Sequence, residues 1–302
     1  DRLLARGYRV VALDDLSTGR MENLADASGR GDAFTFEQAD VRTEAAAEVF
    51  ARHRPEVVMH LAAQAGVRPS LDDPDHDASV NIMGSLNVLR QASAVGARKV
   101  VYAASGGTLY GEPANVPVRE SSAEGAHPES PYGISKKVVL EYLNVFSRQR
   151  GLAFTALALG NVYGPRQDPM GEAGVISIFA ASMLAGRPAT VFGDGEQTRD
   201  YVYVGDTVDA FVAAMDRASG TLVNIGTGVE TSVNAIHAML AEIIGTAPAP
   251  VYGSQPQGEL RRIALDNRRA ASELAWTPKI DLRSGLARTA EHLSARLRPA
   301  SG

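Results

Sequence analysis

The 302-residue sequence contains no cysteine. Disulfide bonds, iron–sulfur clusters and cysteine-rich zinc sites are therefore excluded. Its six histidines never lie about three to five residues apart, the spacing at which one helix presents two of them to a metal. We therefore predict that the protein binds no metal.

Long apolar runs and an excess of positive charge are also missing. No stretch approaches the roughly 20 apolar residues of a membrane-spanning helix, and no cationic and then apolar segment opens the chain. The formal net charge is −5, which argues against a basic surface for nucleic acid. Since 45% of the residues are hydrophobic, the chain can bury a large core. These features predict a globular, cytoplasmic protein that binds neither nucleic acid nor a membrane.

Apolar strands and amphipathic helices alternate over about the first 160 residues. Continuous apolar segments such as 57–61, 99–104 and 154–159 are separated by helical patterns, one of them over 43–53 with Thr43 as N-cap. This order is typical of a parallel sheet with helices on both faces, whose binding crevice lies beyond the carboxyl ends of the strands. We predict an α/β fold, a Rossmann-like doubly wound parallel sheet with a smaller α+β substrate-binding domain.

The pattern changes after residue 160. Residues 164–175 are rich in glycine and proline, 190–192 and 201–203 are predicted to pair as a hairpin, and Asp206 is predicted to cap a helix. We expect residues 1–160 with about 196–226 to form a Rossmann domain. About 161–195 with 227–302 would form the substrate-binding cap.

The first residues match the second half of a mononucleotide-binding unit. A helical segment ends at Gly7, an apolar strand follows, and the strand ends at Asp14. In such units the acidic residue comes about 20 residues after a glycine-rich phosphate loop. That count places the first strand and the loop before Asp1, so we expect them in the natural protein. The alternative is an acidic residue that ends this strand by chance.

A tyrosine and a lysine lie four residues apart at a predicted helix start. Ser130 suits the N-cap and Pro131 the first helical position, so Tyr132 and Lys136 share one helical face. A phenol is a poor base at its unperturbed pKa of about 10, but a nearby ammonium group favours the phenolate. The pair could therefore accept a proton from a substrate hydroxyl. The alternative is a chance spacing of two common residues.

A hydroxyl-bearing turn comes just before that helix. Ser105, Gly106, Gly107 and Thr108 follow a predicted strand. The two glycines let the backbone approach a ligand closely, and either hydroxyl could bond to a reacting oxygen. The alternative is an ordinary glycine-rich turn.

In this order, the segments resemble the extended short-chain dehydrogenase/reductase superfamily, and within it the NAD-dependent epimerase/dehydratase family. The resemblance covers nearly the whole chain and rests on 14–19 (DDLSTG), Asp40-Val41, 60–64 (HLAAQ), Asn81, Tyr132 with Lys136, 160–166 (GNVYGPR), 171–176 (GEAGVI), 192–195 (FGDG) and 199–202 (RDYV). It is strongest to the nucleotide-sugar 4-epimerases that act on UDP-glucose and UDP-galactose.

The resemblance implies an enzyme, an isomerase that passes through a transient 4-keto sugar. Tyr132 would act as general base and then acid, Lys136 would tune it, and Thr108 or Ser105 would orient the oxygen. The cofactor would be NAD, held by Asp14, Asp15, Asp40, Val41, Leu61, Ala62, Ala63, Asn81, Tyr132 and Lys136. The nucleotide sugar would meet Thr108, Asn161, Val191, Arg199 and Glu259. The family also implies a homodimer.

Departures from the family pattern keep alternatives open. Gly106 stands where family epimerases often carry a serine, so the choice between Ser105 and Thr108 stays open. Gln255, Pro256 and Gln257 stand where an arginine for the diphosphate is usual. A nucleotide-sugar decarboxylase or reductase is the enzymatic alternative, although Leu109 stands where related dehydratases and decarboxylases have an acid beside the threonine. A non-catalytic NAD-binding protein is the second alternative.

Overall fold

The computed structural model describes residues 1–169, 174–246, 248–254 and 260–297, and these divide into two compact units. The first contains Asp1–Ala104, Ser130–Leu157 and Phe211–Leu222. The second contains residues 105–129, 158–210 and 223 onward. The predicted division into a cofactor domain and a substrate-binding cap stays a prediction.

Strands and helices follow one another along the described residues. The strands are β1 (Val10–Asp14), β2 (Phe34–Gln38), β3 (Val57–His60), β4 (Lys99–Ser105), β5 (Ala153–Leu159), β6 (Asn161–Tyr163), β7 (Thr190–Phe192), β8 (Thr198–Arg199), β9 (Tyr201–Tyr203), β10 (Thr221–Ile225), β11 (Thr231–Ser232) and β12 (Val251–Gly253). The α-helices are α1 (Arg2–Ala5), α2 (Ala25–Ser28), α3 (Glu44–His53), α4 (Val67–Asp72), α5 (Pro74–Ala78), α6 (Ser85–Ala94), α7 (Pro131–Arg150), α8 (Val175–Leu184), α9 (Val204–Ala214), α10 (Val233–Ile244) and α11 (Leu282–Leu297).

Short helices of other geometry join several of these elements. Met21–Leu24, Gly31–Ala33 and Glu120–Ala123 are 3₁₀ helices, whereas Ser79–Gly84 and Ala270–Leu274 are π-helical. The π-helix at 79–84 runs directly into α6 and contacts both α5 and α7. Such π-helical turns occur often at functional sites.

A parallel sheet forms in the order β10-β5-β4-β3, as the apolar strand segments predict. Val57 pairs with Lys99 and His60 with Tyr102 in the parallel register of β3 and β4. β1 pairs in parallel with β2, Val10 opposite Phe34. The predicted Rossmann-like α/β class is confirmed. The carboxyl ends of the strands carry most residues that the sequence analysis assigned to the cofactor.

Local end signals explain the helix that carries the predicted catalytic pair. The Ser130 hydroxyl accepts the backbone N–H of Gly133 at 3.2 Å, and Pro131 takes the first helical position. Gly151 ends α7 with a φ of 69°, a left-handed conformation that glycine adopts without a steric penalty. Thr43 likewise precedes α3 as predicted.

The core of the second unit lies between α8, α10 and α11. Its buried side chains include Ile176, Phe179, Met183, Ile236 and Leu286. Each of these helices presents an apolar face to the other two, which removes that face from water. None of the helices in the described residues is both long and apolar enough to cross a membrane.

The predicted hairpin between 190–192 and 201–203 is wrong. β7 pairs in parallel with β12, and β9 pairs in parallel with β6. The turn itself is present, since Gly193 and Gly195 have φ values of 69° and 74°. It leads instead to β8, which pairs antiparallel with β11. The short strands therefore find partners that are distant in the sequence.

The prediction that Asp206 caps a helix is also wrong. α9 begins at Val204, directly after β9, so Asp206 lies in its first turn. The Asp206 carboxylate instead accepts the backbone N–H groups of Lys279 and Ile280, each at 3.0 Å. It ties a later segment of the second unit to α9.

Candidate active site

Tyr132 and Lys136 lie in the first turns of α7, in the first unit. Lys136 is only 3% exposed, and its Nζ donates a hydrogen bond to the carbonyl oxygen of Ala103 at 3.0 Å. That carbonyl belongs to β4, two residues before its last residue. The long lysine side chain therefore brings a buried ammonium group to the carboxyl end of a central strand.

The ammonium group of Lys136 lies against two tyrosine rings. Its Nζ is 5.0 Å from the ring centroid of Tyr102 and 5.7 Å from that of Tyr132. Burial lowers the pKa of Lys136 to about 8, and the negative charge of Asp77 opposes this shift. A cation within about 6 Å of a ring centroid is attracted to the ring. The predicted catalytic pair is therefore brought together.

Asp14 and Asp15 follow one another at the carboxyl end of β1. Asp14 Oδ1 accepts the N–H of Leu16 at 2.7 Å, and a Cβ on Gly19 would lie only 2.7 Å from the same oxygen. Asp15 Oδ1 accepts the N–H and the hydroxyl of Ser17 at 2.9 and 2.6 Å. Both carboxylates thus help to shape the turn after β1, and Gly19 leaves room for Asp14.

Asp40 and Val41 lie in the turn after β2. Arg42 donates from Nε to both oxygens of Asp40, at 3.0 and 2.9 Å, and this pairing lowers the pKa of the Asp40 carboxyl. The Val41 carbonyl accepts the side-chain amide of Asn87 at 2.8 Å. This pair, which is predicted to hold the cofactor, is therefore held firmly in place.

The segment after β3 is fixed by one asparagine. Asn81 Nδ2 donates to the Gln64 carbonyl at 2.9 Å, and Gln64 N–H donates to Asn81 Oδ1 at 2.9 Å. Leu61, at the start of this segment, is 58% exposed. Ala62 and Ala63 lie between them and are half-buried. Asn81 thus positions the predicted cofactor segment through its backbone.

These residues fit NAD. A carboxylate lies at the end of β1 for hydroxyl groups of a ribose, and an exposed apolar side chain, Leu61, lies beyond β3. Lys136 offers a buried ammonium group at the end of β4. In open α/β sheets a dinucleotide binds beyond the carboxyl ends of the parallel strands, where an acidic residue bonds to a ribose hydroxyl.

The hydroxyl-bearing turn belongs to the second unit. Gly106 donates its N–H to the carbonyl of Leu159 at 2.8 Å, and a Cβ on Gly106 would lie 2.5 Å from Leu265 Cδ1. A side chain at this position would therefore require the Leu265 side chain to shift. Thr108 Oγ1 is buried and has no hydrogen-bond partner among the described residues.

Two of the predicted substrate residues lie near this turn. A Cβ on Gly107 would lie 3.7 Å from Asn161 Oδ1. Asn161 N–H donates to the carbonyl of Asp200 at 2.7 Å, and Asp200 follows Arg199. Arg199 is half-buried, and its Nη1 donates to the Thr198 carbonyl at 2.8 Å.

The remaining predicted substrate residues are placed differently. The Val191 side chain is fully buried in the core between α8, α10 and α11. Only its backbone is left for contact with a ligand. Glu259, together with 171–173 and 255–258, lies outside the described residues.

Sequence reasoning missed a buried carboxylate beside the catalytic pair. Asp77 on α5 is 1% exposed and contacts Asn81 and Ser135 through its side chain. No motif marks it. The one available signal was its position four residues before Asn81, on the same helical face.

The parallel sheet and the Tyr132–Lys136 pair define a Rossmann-like enzyme that depends on a dinucleotide. The profile of the NAD dependent epimerase/dehydratase family matches residues 1–226. The chain belongs to this family, and its cofactor is NAD.

Relatives and solved structures agree with this assignment. The chain is 46% identical to the UDP-glucose 4-epimerase of Mycolicibacterium smegmatis over 292 residues. This alignment covers 96% of this chain and 92% of that protein. The chain is 42% identical, with a TM-score of 0.94, to the Thermotoga maritima UDP-glucose 4-epimerase crystallised with UDP-glucose, covering 99% of this chain and 94% of that one. The Thermus thermophilus UDP-glucose 4-epimerase in complex with NAD is 38% identical, with a TM-score of 0.90 and coverage of 97% and 93%.

Proposed function

We propose that this chain is an NAD-dependent nucleotide-sugar 4-epimerase that interconverts UDP-glucose and UDP-galactose, with Tyr132 as the acid–base residue. The observation that carries the proposal is the Lys136 ammonium group, buried at the end of β4 and 5.7 Å from the Tyr132 ring centroid. The 38–46% identity to UDP-glucose 4-epimerases over nearly the whole chain supports the reaction.

Tyr132 takes the proton of the sugar 4-hydroxyl and returns it after inversion. NAD bound at the residues named below would supply the hydride chemistry at C4 of the sugar. The positive charge of Lys136 stabilises the phenolate form of Tyr132 while the proton is held there. We assign the binding of NAD to the residues that follow β1, β2 and β3, together with Asn81, Tyr132 and Lys136.

Thr108, rather than Ser105, supplies the hydroxyl that orients the reacting oxygen. Its Oγ1 is buried and lacks a hydrogen-bond partner among the described residues, which is costly unless a ligand completes it. The contacts at Gly106 also support Thr108, because a side chain there would meet Leu265 and the Leu159 carbonyl. Thr108 therefore takes the role of the serine that family epimerases often carry at position 106.

The nucleotide diphosphate meets Asn161 and Arg199 in the second unit. Burial of phosphate charge needs fixed cations or N–H donors, and Arg199 lies on a paired strand that limits its movement. We assign Glu259 and the backbone of Val191 to the same ligand on the family resemblance alone.

A dehydratase or decarboxylase reaction is less well supported. Such relatives place an acidic side chain beside the threonine of the active-site turn, where this chain has Leu109. The Leu109 side chain is fully buried. The turn therefore offers no acid of its own for elimination.

The test is incubation of the protein and NAD with UDP-glucose, and separately with UDP-N-acetylglucosamine, with the products resolved by NMR. We expect inversion at C4 of UDP-glucose without net formation of NADH. Stoichiometric NADH would indicate a dehydrogenase. In a third incubation, with UDP-glucuronic acid, loss of carbon dioxide would indicate a decarboxylase.

We also propose a homodimer that forms through the exposed face of α7. Ile134 and Val145 on this face are 49% and 44% exposed, Val138 lies between them, and Met83 on the neighbouring π-helix is 56% exposed. This apolar stripe at helical spacing suits the same stripe of a second copy. Light scattering should give a dimer mass, which Val145→Asp lowers and Glu291→Ala, at an exposed position on α11, leaves unchanged. A cytoplasmic location stays a prediction from the sequence.

A further inference from the structure

Asp77 is a buried carboxylate that the proposed mechanism does not use. It lies in α5, and only 1% of its surface is exposed. Burial of a carboxylate without compensation is costly, so its partners must stabilise it. Burial raises the pKa of the Asp77 carboxyl, and hydrogen bonds from Ser135 and Asn81 and the charge of Lys136 oppose that rise.

The first partner links Asp77 to the cofactor segment. Asn81 Nδ2 donates to Asp77 Oδ1 at 2.8 Å and to the Gln64 carbonyl at 2.9 Å. An amide nitrogen has two hydrogens, and these two acceptors use both. Asp77 therefore fixes the orientation in which Asn81 holds the backbone of Gln64.

The second partner links Asp77 to the catalytic helix. The Ser135 hydroxyl is within hydrogen-bond reach of both the Asp77 carboxylate and the Tyr132 carbonyl, the latter at 3.0 Å. A hydroxyl has one hydrogen, and a charged acceptor binds it more strongly than a carbonyl does. Ser135 is the residue before Lys136, so this contact brings α5 to the part of α7 that carries the lysine.

Among the described residues, Asp77 is the one carboxylate whose charge acts on the ammonium group of Lys136. The titratable side chains around it are His60 on β3, Tyr102 on β4, Tyr132 on α7 and Asp77 on α5. His60 is fully buried, and burial together with the charge of Lys136 lowers its pKa to about 3, so it stays neutral. Burial, as the largest cause, keeps the pKa of Tyr102 well above its ordinary value, so Tyr102 stays neutral. Among these groups, Asp77 alone offers a negative charge in the resting protein.

We propose that Asp77 is a positioning residue whose negative charge keeps the buried Lys136 protonated and whose hydrogen bonds join the catalytic helix to the cofactor segment at 61–64. The inference rests on the proposed roles of Tyr132 and Lys136. It deepens them by naming the group that holds the lysine in its active protonation state.

The effect on pH dependence has a definite sign. The ammonium form of Lys136 exists below the lysine pKa and is lost as the pH rises through it. An opposite charge nearby raises that pKa, so removal of the charge of Asp77 lowers it further. The alkaline limb of the activity profile should then move to lower pH, by about one unit.

The direct test is an NMR titration of the lysine ε-carbons. The chain has four lysines, Lys99, Lys136, Lys137 and Lys279, so the spectrum is simple, and Lys136→Arg assigns the signal of Lys136. Asp77→Asn keeps the shape of the side chain but removes its charge. We expect the titration midpoint of Lys136 to fall in this variant, with and without NAD.

Lys99 is the internal control for that titration. Burial lowers its pKa to about 8 as well, but its Nζ bonds to the Arg217 carbonyl and the Ser219 hydroxyl, away from Asp77. Its midpoint should not move. Asp75→Asn, an exposed residue on the same helix, is the matched variant control. An unchanged Lys136 midpoint in Asp77→Asn would overturn the proposal.

Two further measurements separate charge from structure. Asp77→Glu keeps the charge and should keep the alkaline limb of kcat/KM near that of the unmodified protein, whereas Asp77→Asn should shift it. If Asp77→Asn does not fold, the lysine titration of the unmodified protein still tests the proposal. Its Lys136 signal should show a second, acidic inflection when Asp77 protonates, and a single inflection would refute the proposal. If the unmodified protein has no epimerase activity, the proposed function fails while the lysine titration still tests Asp77.

Discussion

Asn81 and Gln64 form a reciprocal pair of hydrogen bonds. The Asn81 carboxamide donates to the Gln64 carbonyl and accepts from the Gln64 N–H, both at 2.9 Å. These two bonds resemble the paired backbone bonds between neighbouring strands, but here the side chain of Asn81, on the π-helix, takes the place of the second backbone. The segment that follows β3 therefore keeps a fixed backbone without belonging to the sheet.

Asn81→Ala should weaken both the fold and the binding of NAD. The Gln64 backbone would lose its partner and Asp77 one of its two, and a buried polar group left unpaired costs about 1–3 kcal/mol. Urea unfolding should show this loss, and NAD titration should show a higher Kd. Asn144→Ala, which removes only a bond to the Leu140 carbonyl on the same helix, is the control. Unchanged NAD affinity would mean that the segment is held in place by other contacts.

Tyr132→Phe should abolish most turnover while the fold survives. The variant keeps the ring beside Lys136 and removes only the hydroxyl that exchanges the proton. Loss of a general acid–base group typically costs ~100- to 10,000-fold in rate. Turnover of UDP-glucose measures the effect, and NAD content and thermal unfolding serve as controls. A variant with near-normal turnover would show that another group is the base.

The elements predicted best from the sequence are those with local signals. Ser130, Pro131 and Gly151 define both ends of α7 by capping rules that act within a few residues. The apolar segments at 57–61 and 99–104 predicted β3 and β4, because strands buried on both faces must be apolar throughout.

The elements predicted poorly depend on distant partners. The strand at 190–192 pairs with 251–253, and no residue near Gly193 indicates this. Asp77 was missed for a similar reason, since its environment arises only when α5 packs against α7. Val191 was predicted to bind substrate from a family segment, but the apolar faces of three helices bury its side chain.

Thr108→Val and Ser105→Ala should differ in their effect on turnover. Valine matches the shape of threonine but removes the hydroxyl, whose bond to a reacting oxygen is worth about 1.5–3 kcal/mol when charge develops there. That loss corresponds to about 10- to 150-fold in kcat. Ser105→Ala should stay within a few-fold of the unmodified protein. The reverse order would assign the hydroxyl role to Ser105.

Arg199→Ala should weaken the binding of UDP steeply while the NAD content stays unchanged. Two other arginines near this strand are engaged in ion pairs, Arg261 with Asp194 at 2.8 Å and Arg262 with Glu230 at 2.6 Å. The position of the usual family arginine is taken by the segment at 255–257, which carries no positive charge. Arg199 should therefore carry most of the contact with the diphosphate.

The loss expected for Arg199→Ala is about 2–5 kcal/mol, because a buried phosphate oxygen would lose a charge-assisted partner. Calorimetric titration with UDP measures it, and absorbance of the released cofactor reports the NAD content. Arg262→Ala is the matched control, since it removes a neighbouring arginine whose charge is already paired. A larger loss in Arg262→Ala than in Arg199→Ala would move the diphosphate contact to Arg262. Unchanged affinity in both variants would remove this strand from the nucleotide site and count against a nucleotide-sugar substrate.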